Sequence, residues 1–426
     1  MFRSPQGEKL HSLGKTNRVL QEATLPVEKH PVFTYSGFKH MFMKKSKIKK
    51  NLFIKTFLFL LLFLLLSACA PKPEEEKYIT IGALLPLTGE DSDEGLRALN
   101  GLQLAKGEIN EAGGVFGKKL DIIVLNDRGD EEYVLQQYNV LKEKDVLAII
   151  GSSYSGVTMA LAEASEKDGI PVITPTATDP EITQGRGNVF RANFIDDYQA
   201  EVMAFFAWYS LNAKTAVVLR NGDSASFRRT GQIFAESFID LGGSVSAVES
   251  YSTGEDFAGI LGKYASNPPN IFYCPENFIP AANLVNTVYE LGLTANTHIL
   301  GSDAWDGLLV YVYNPGAMKN VYYPAPFSFD DQDGDASNFV KSFFHSFSQM
   351  PLSGSATAYT CVYILAEAIK KAGSTDRNDI ISAIKTNEFN MITGSIRFDN
   401  NNNPRTNVYI IQIEGGVYST YEKISL

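Results

Sequence analysis

The chain is poor in the residues that staple small domains and hold metals. It has three cysteines and five histidines in 426 residues. His11, His30 and His40 precede Cys69, so only His298 and His345 accompany the bulk of the chain, without cysteine or carboxylate neighbours at metal-ligand spacing. No metal or other cofactor is expected, and a histidine general base has little to draw on. Beyond Cys69 only Cys274 and Cys361 remain, and Cys361 falls in the apolar-periodic run 356–372, so it is expected to be buried and no disulfide framework is in prospect. Basic residues are also scarce where they would count. Residues 1–68 hold 12 of the 38 basic and 3 of the 48 acidic side chains, leaving a net charge near −19 in the remainder, which excludes nucleic acid as a natural partner. The apolar run 57–66 falls far short of the roughly 20 residues needed to span a bilayer.

That run has another use. Lys44, Lys45, Lys47, Lys49, Lys50 and Lys55 precede it and Leu66-Ser67-Ala68-Cys69 follows, the order of a cleavable export signal over 43–68. The Leu-Ser-Ala-Cys ending resembles the lipobox of bacterial lipoproteins, which implies a diacylated Cys69 as mature N-terminus. Two or more acyl chains, at about 0.8 kcal/mol per buried CH₂, anchor a protein stably. The chain after Cys69 is thus expected outside the cytoplasm, on the periplasmic or cell-surface side of a membrane, with the proline- and charge-rich stretch 69–77 as tether. Residues 1–42 fit no part of this scheme, and translation is expected to start at Met43 or Met41.

The 358 residues that follow the signal exceed what one core usually organises, so two lobes are expected. From 78 onward the pattern alternates. A β-rich apolar run at 78–85 is followed by a helical period over 95–112, strand-like 120–125, helix 131–143, strand 146–150, helix 158–168 and strand 172–174. Strands separated by helical segments indicate βαβ units and parallel sheets. The alternation restarts with a helix over 198–211 and a strand at 215–219. Strands at 245–251, 270–273 and 298–301 follow, with helices at 231–241 and 257–265. Three helices (338–350, 356–372, 377–386) then lead to an antiparallel unit of 394–398, 408–413 and 417–421.

Three segments share one grammar, a buried strand ending in small hydroxyl residues before a helix. They are Ile149-Ile150-Gly151-Ser152-Ser153-Tyr154-Ser155-Gly156, Ile173-Thr174-Pro175-Thr176-Ala177-Thr178 and Ile299-Leu300-Gly301-Ser302-Asp303. In open α/β sheets ligands bind beyond the carboxyl ends of strands. Helix N-termini offer unpaired N–H groups and a positive dipole end, so Ser155 and Thr178 suit a carboxylate, and Asp303 suits an ammonium. Together they describe a zwitterion. Gly151 to Ser155 also faintly suggests a hydrolase nucleophile turn, but the second glycine of G-x-S-x-G and a histidine partner are missing.

In order along the chain stand Ile81-Gly82-Ala83-Leu84-Leu85-Pro86-Leu87-Thr88-Gly89, Asn100-Gly101, Glu108-Ile109-Asn110, Gly113-Gly114, Ser155-Gly156-Val157-Thr158, Pro175-Thr176-Ala177-Thr178-Asp179-Pro180 and Gly301-Ser302-Asp303. From Tyr78 almost to Leu426 the sequence resembles the type I periplasmic binding proteins, specifically the branched-chain amino acid lipoproteins of ABC transporters. The resemblance implies two Rossmann-like α/β lobes, 78–193 plus 327–392 and 194–326 plus 393–426, joined by three crossovers near 193–197, 321–326 and 390–394. It implies a monomer that closes over its ligand and passes it to ABC permease and ATPase subunits, without catalysis. In the family, residues matching Ser155, Thr178 and the backbone around Thr176 and Ala177 hold the ligand carboxylate, and the acid matching Asp303 holds the ammonium.

The departures bear on specificity. Where aliphatic-selective members offer an aromatic, this chain reads Glu90-Asp91-Ser92-Asp93-Glu94-Gly95. Tyr154, Phe227, Phe278 and Trp305 are expected to line an apolar side pocket, and an inward Glu94 or Glu276 would favour a polar or cationic ligand side chain over leucine. Alternatives are another small ligand on the same fold, such as an amide, urea or aromatic acid, or a ligand-sensing subunit of a signalling receptor.

Overall fold

A computed structural model describes residues 78–89, 92–254 and 256–424. The expected extension 1–42, the signal, Cys69 and the tether lie outside the described residues, as do Glu90 and Asp91 of the acidic loop. The first strand, β1 (Ile79–Leu85), is loaded on both faces. Ile79, Ile81, Ala83 and Leu85 pack in one core with helix α1 (Ser92–Glu111), while Leu84 packs on the other side with α2 (Glu131–Glu143). Such a strand belongs inside a sheet covered above and below. It pairs in parallel with β2 (Leu120–Asn126) and β3 (Ile149–Ile150). After helix α3 (Ser155–Asp168), β4 (Val172–Thr174) and β5 (Val189–Arg191) complete a parallel sheet in the order β2-β1-β3-β4-β5.

The chain leaves this sheet through 192–195 and builds a second one. Helix α4 (Asp196–Tyr209) leads to β6 (Thr215–Asn221), α5 (Ala225–Asp240), β7 (Ser244–Tyr251), α6 (Phe257–Leu261) and β8 (Ile271–Tyr273). Helix α7 (Phe278–Glu290), β9 (His298–Leu300) and β10 (Val321–Ala325) follow. Strand β6 again serves two cores, with Val217 and Leu219 in one and Ala216 and Val218 in the other. Helix α7 is absent from the sequence-based expectation, and it carries Pro280. The proline occupies the first turn, where its missing N–H costs no intrahelical bond.

Beyond β10 the chain returns, and Phe327 already packs in the first core. Helices α8 (Gly334–Phe347), α9 (Ser353–Ala372) and α10 (Arg377–Thr386) cover the face of the first sheet that α1 also covers. Cys361 is buried there, and Cys274 is buried in the second lobe; both are free thiols.

The third crossover departs from expectation. Residues 390–394 form the turn of a hairpin in which β11 (Glu388–Met391) pairs with β12 (Gly394–Phe398), followed by β13 (Pro404–Arg405). Ile396 and Phe398, alternating along β12, find their apolar cover beside Phe389 in the first core. The chain therefore passes to the second lobe at 406–407, not 390–394, and 394–405 stays with the first lobe. The expected antiparallel unit is split accordingly. Strands β14 (Val408–Glu414) and β15 (Val417–Ile424) extend the second sheet to β15-β14-β10-β9-β8-β6-β7.

Candidate ligand-binding site

A cavity of about 340 Å³ lies between the two lobes, at the carboxyl ends of β3, β4 and β9. The β3–α3 turn forms its first wall. Gly151 has φ +138°, and a Cβ there would lie 2.2 Å from the Leu84 carbonyl oxygen, so only glycine turns the chain at this point. The next residues are held from behind. Ser152 Oγ donates to the buried Asp127 Oδ2 at 2.6 Å, and Thr174 Oγ1 and Thr158 Oγ1 donate to the Ser152 carbonyl at 2.7 and 3.0 Å. Burial pushes the Asp127 carboxyl up, against the Ser152 and Gly129 bonds that favour its charge.

The β4 loop is stitched to this turn and anchored by a buried cation. Thr176 Oγ1 donates to the Ser153 carbonyl at 2.9 Å, and the Asp179 N–H reaches Ser155 Oγ at 3.4 Å. The fully buried Arg191 donates to the Ala177 carbonyl (2.9 Å), the Asp179 carbonyl (2.6 Å) and Thr183 Oγ1 (3.2 Å). Burial pulls its guanidinium down to about 10, with Asp196, Asp179 and Asp399 opposing. Tyr154 occupies the N-cap of α3 without a side-chain cap bond, so the first-turn amides of α3 have no side-chain acceptor from that residue. Ser153 is 5% exposed and lines the cavity, and among the described residues its Oγ has no partner.

The second wall comes from the loop after β9. Asp303 accepts from Asn193 Nδ2 at 2.8 Å and Gln199 Nε2 at 3.0 Å, and its own N–H donates to Gln199 Oε1 at 2.9 Å. Burial first, then the charge of Asp196, pushes the Asp303 carboxyl up to about 7, with Glu94 adding to the rise. Asp196, 6% exposed, is also pushed up by burial, while bonds from Ser226, Thr178 and Gln199 favour its charge.

Eight of the ten residues expected at the site line this cavity: Tyr154, Ser155, Thr176, Ala177, Thr178, Phe227, Phe278 and Asp303. Two do not. Glu276 is buried behind the wall, where it accepts from Asn221 Nδ2 (3.0 Å), Tyr251 OH (2.8 Å) and the Asn277 N–H (2.9 Å). Trp305 is fully buried in the second-lobe core, packed so tightly on Gly301 that a Cβ there would lie 2.0 Å from its ring. Its neighbour Asp303 turns outward while the indole turns into the core.

Asp196, Asp306, Asn193, Ser153 and the α9 start at Ser353, Gly354 and Thr357 also line the cavity, unforeseen from the sequence. The α9 start arrives through tertiary packing of α9 on α1, which no local pattern encodes. For Asp196 a signal existed, an acid placed just after the apolar Ile195 at a crossover. Glu94, on the first turn of α1, does point into the cavity. Asp306, by contrast, ties the lobes together: its Oδ2 accepts the Ser353 N–H at 2.6 Å and its carbonyl accepts Arg97 Nη1 at 3.3 Å.

The sequence pattern of the periplasmic binding protein family matches residues 78–417. A Leu/Ile/Val-binding protein homologue of Brucella melitensis is 27% identical over 343 residues, covering 78% of this chain and 89% of that protein. The crystal structure of LivJ, a branched-chain amino acid transporter substrate-binding protein of Streptococcus pneumoniae solved with isoleucine, superposes with a TM-score of 0.75 at 26% identity, over 82% of this chain and 100% of that one. The leucine-binding protein LivK of Thermotoga maritima gives 0.73 at 27% identity, over 82% and 99%.

Proposed function

The chain belongs to the periplasmic binding protein family, and we propose that it captures an amino acid between its lobes and delivers it to an ABC importer. One observation carries this reading. Ser153, Ser155 and the start of α3 line the cavity from the first lobe, and Asp303 lines it from the second. The first set suits a carboxylate and the second an ammonium. In this grip the carboxylate end comes from the first lobe and the ammonium end from the second, so a zwitterion stabilises the arrangement in which the lobes meet across it. Relatives named for leucine, isoleucine and valine binding, and the LivJ complex with isoleucine, support an amino acid as the ligand class. In this reading the protein acts as a monomer outside the cytoplasm, carries no catalytic step, is held to the membrane by lipid on Cys69, and docks on permease and ATPase subunits.

The test is a thermal-shift screen of the protein, unfolded and refolded to strip bound ligand, against amino acids, amides and small carboxylic acids. A ligand at about 100 times its Kd adds roughly 2.7 kcal/mol of stability. A shift with an amino acid supports the reading. If no zwitterion raises the melting temperature while an amide or aromatic acid does, Asp303 and Ser155 do not form the two ends of the grip.

A further inference from the structure

The ionisable residues that line the cavity are all acidic: Glu94, Asp196, Asp303 and Asp306. Arg97 stands just behind them, 3.6 Å from Glu94 and 3.3 Å from the Asp306 carbonyl, and the buried Arg191 faces Asp196, so two basic side chains meet four acids. A neutral zwitterion would not change that balance, because its ammonium and carboxylate cancel. A ligand that carries one more positive charge would.

Three of the four acids are already engaged. Asp303 accepts from Asn193 and Gln199, Asp196 from Gln199, Ser226 and Thr178, and Asp306 from the Ser353 N–H and, at 3.2 Å, the Tyr323 hydroxyl. Glu94 differs. Among the described residues its carboxylate accepts no hydrogen bond and has only the loose contact with Arg97, although its side chain is just 21% exposed. Burial raises its carboxyl, and Asp306 and Asp93 add to the rise. Space for the carboxylate is kept by Gly354, where a Cβ would lie 2.0 Å from Glu94 Oε1. Ser153 lines the same cavity, and among the described residues its buried Oγ has no hydrogen-bond partner, a polar group left unpaired beside the ligand space. The rings of Tyr154, Phe227 and Phe278 also line it, giving apolar cover for an aliphatic stem.

We propose that the ligand is a basic amino acid, an α-amino acid with a second cationic group on its side chain, and that this group is seated at Glu94. The inference rests on the amino-acid reading above and adds the side-chain class. Relatives with leucine, isoleucine and valine in their names would then differ from this chain at the side-chain end of the site, while the grip on the α-carbon substituents is kept.

The test compares charged ligands with neutral isosteres on the intact protein in detergent, stripped of ligand and titrated calorimetrically with lysine, norleucine, arginine, citrulline and leucine. Lysine over norleucine, or arginine over citrulline, should be favoured by about ten-fold or more, since truncating one side of a desolvated charge pair costs at least that. In Glu94→Gln the same ratio should fall towards one. Tighter or equal binding of norleucine, citrulline or leucine leaves the amino-acid reading standing and overturns the proposal. Binding of none of the five overturns the proposal, and the amino-acid reading falls with it only if the full amino-acid screen also gives no shift. The isostere comparison on the unaltered protein decides the matter even if the variant does not fold.

Discussion

Asn193 Nδ2 donates to Asp303 Oδ2 at 2.8 Å, so the acid of the second lobe is fixed by a residue of the first crossover. Gln199, at the start of α4, holds the other carboxylate oxygen at 3.0 Å. The carboxylate is thus positioned before any ligand arrives, which spares binding the cost of ordering it. Asp303→Ala should cost about 2 to 5 kcal/mol of ligand affinity, roughly 30-fold to several thousandfold, because a buried ammonium would lose its partner. Calorimetric titration checks this, and an unchanged Kd would remove Asp303 from the site.

The same carboxylate makes stability depend on pH. With its folded value near 7 against 3.8 for the free side chain, the folded state holds a proton between about pH 4 and 7 that the unfolded state has released. Stability of the unliganded protein therefore falls as pH rises through that window, by about 4 kcal/mol at most from this group. Binding runs the other way, since an ammonium needs the ionised form, so affinity should rise towards and above pH 7. The check is the melting temperature of unliganded wild type and Asp303→Asn from pH 5 to 8. The wild type should lose stability relative to the variant as pH rises, and parallel curves would count against this assignment.

Asp303 is legible in the sequence, whereas other residues of the cavity are not. Ser155, Thr178 and Asp303 follow directly on short apolar strands, and the ends of parallel strands converge at one edge of each sheet. Local pattern was enough for them. Glu276 and Trp305 sit in equally suggestive loops, yet Glu276 answers Asn221 and Tyr251 inside the lobe and Trp305 fills the core. Strand-end position says that a residue is near the cleft, not which way its side chain turns. The α9 start and the third crossover at 406–407 depend on packing between segments hundreds of residues apart, as with Phe389 and Phe398 finishing a core begun at Ile79.

Arg191 offers a test of how the first-lobe grip is held. Its guanidinium reaches three acceptors on the loop that carries Thr176, Ala177 and Thr178, a geometry an ammonium on a flexible stem does not reproduce. Arg191→Lys should leave buried carbonyls unpaired, destabilise the protein by about 1 to 3 kcal/mol, and weaken ligand binding as the loop loses its anchor. Urea unfolding and titration on one preparation check both effects. Loss of stability with unchanged affinity would show that the loop does not need Arg191 to present its binding groups.

Two glycines on α1 separate a packing requirement from a helix-propensity effect. A Cβ at Gly101 would lie 2.1 Å from the Ser355 carbonyl oxygen and 3.1 Å from the Tyr359 nitrogen, so α1 and α9 touch backbone to backbone there. This contact sets the distance between Glu94 on α1 and Gly354 at the start of α9, both of which line the cavity. Gly107 lies two turns on along the same helix, exposed, with nothing within 4 Å of a Cβ. Gly101→Ala should therefore destabilise by about 1 to 3 kcal/mol through overpacking and also weaken ligand binding, since the helices must part. Gly107→Ala should stabilise by about 0.5 to 1 kcal/mol and leave affinity unaltered. Chemical denaturation of the two variants beside wild type checks the signs. If both variants moved stability the same way, the approach of the two helices would not be what keeps Gly101 a glycine.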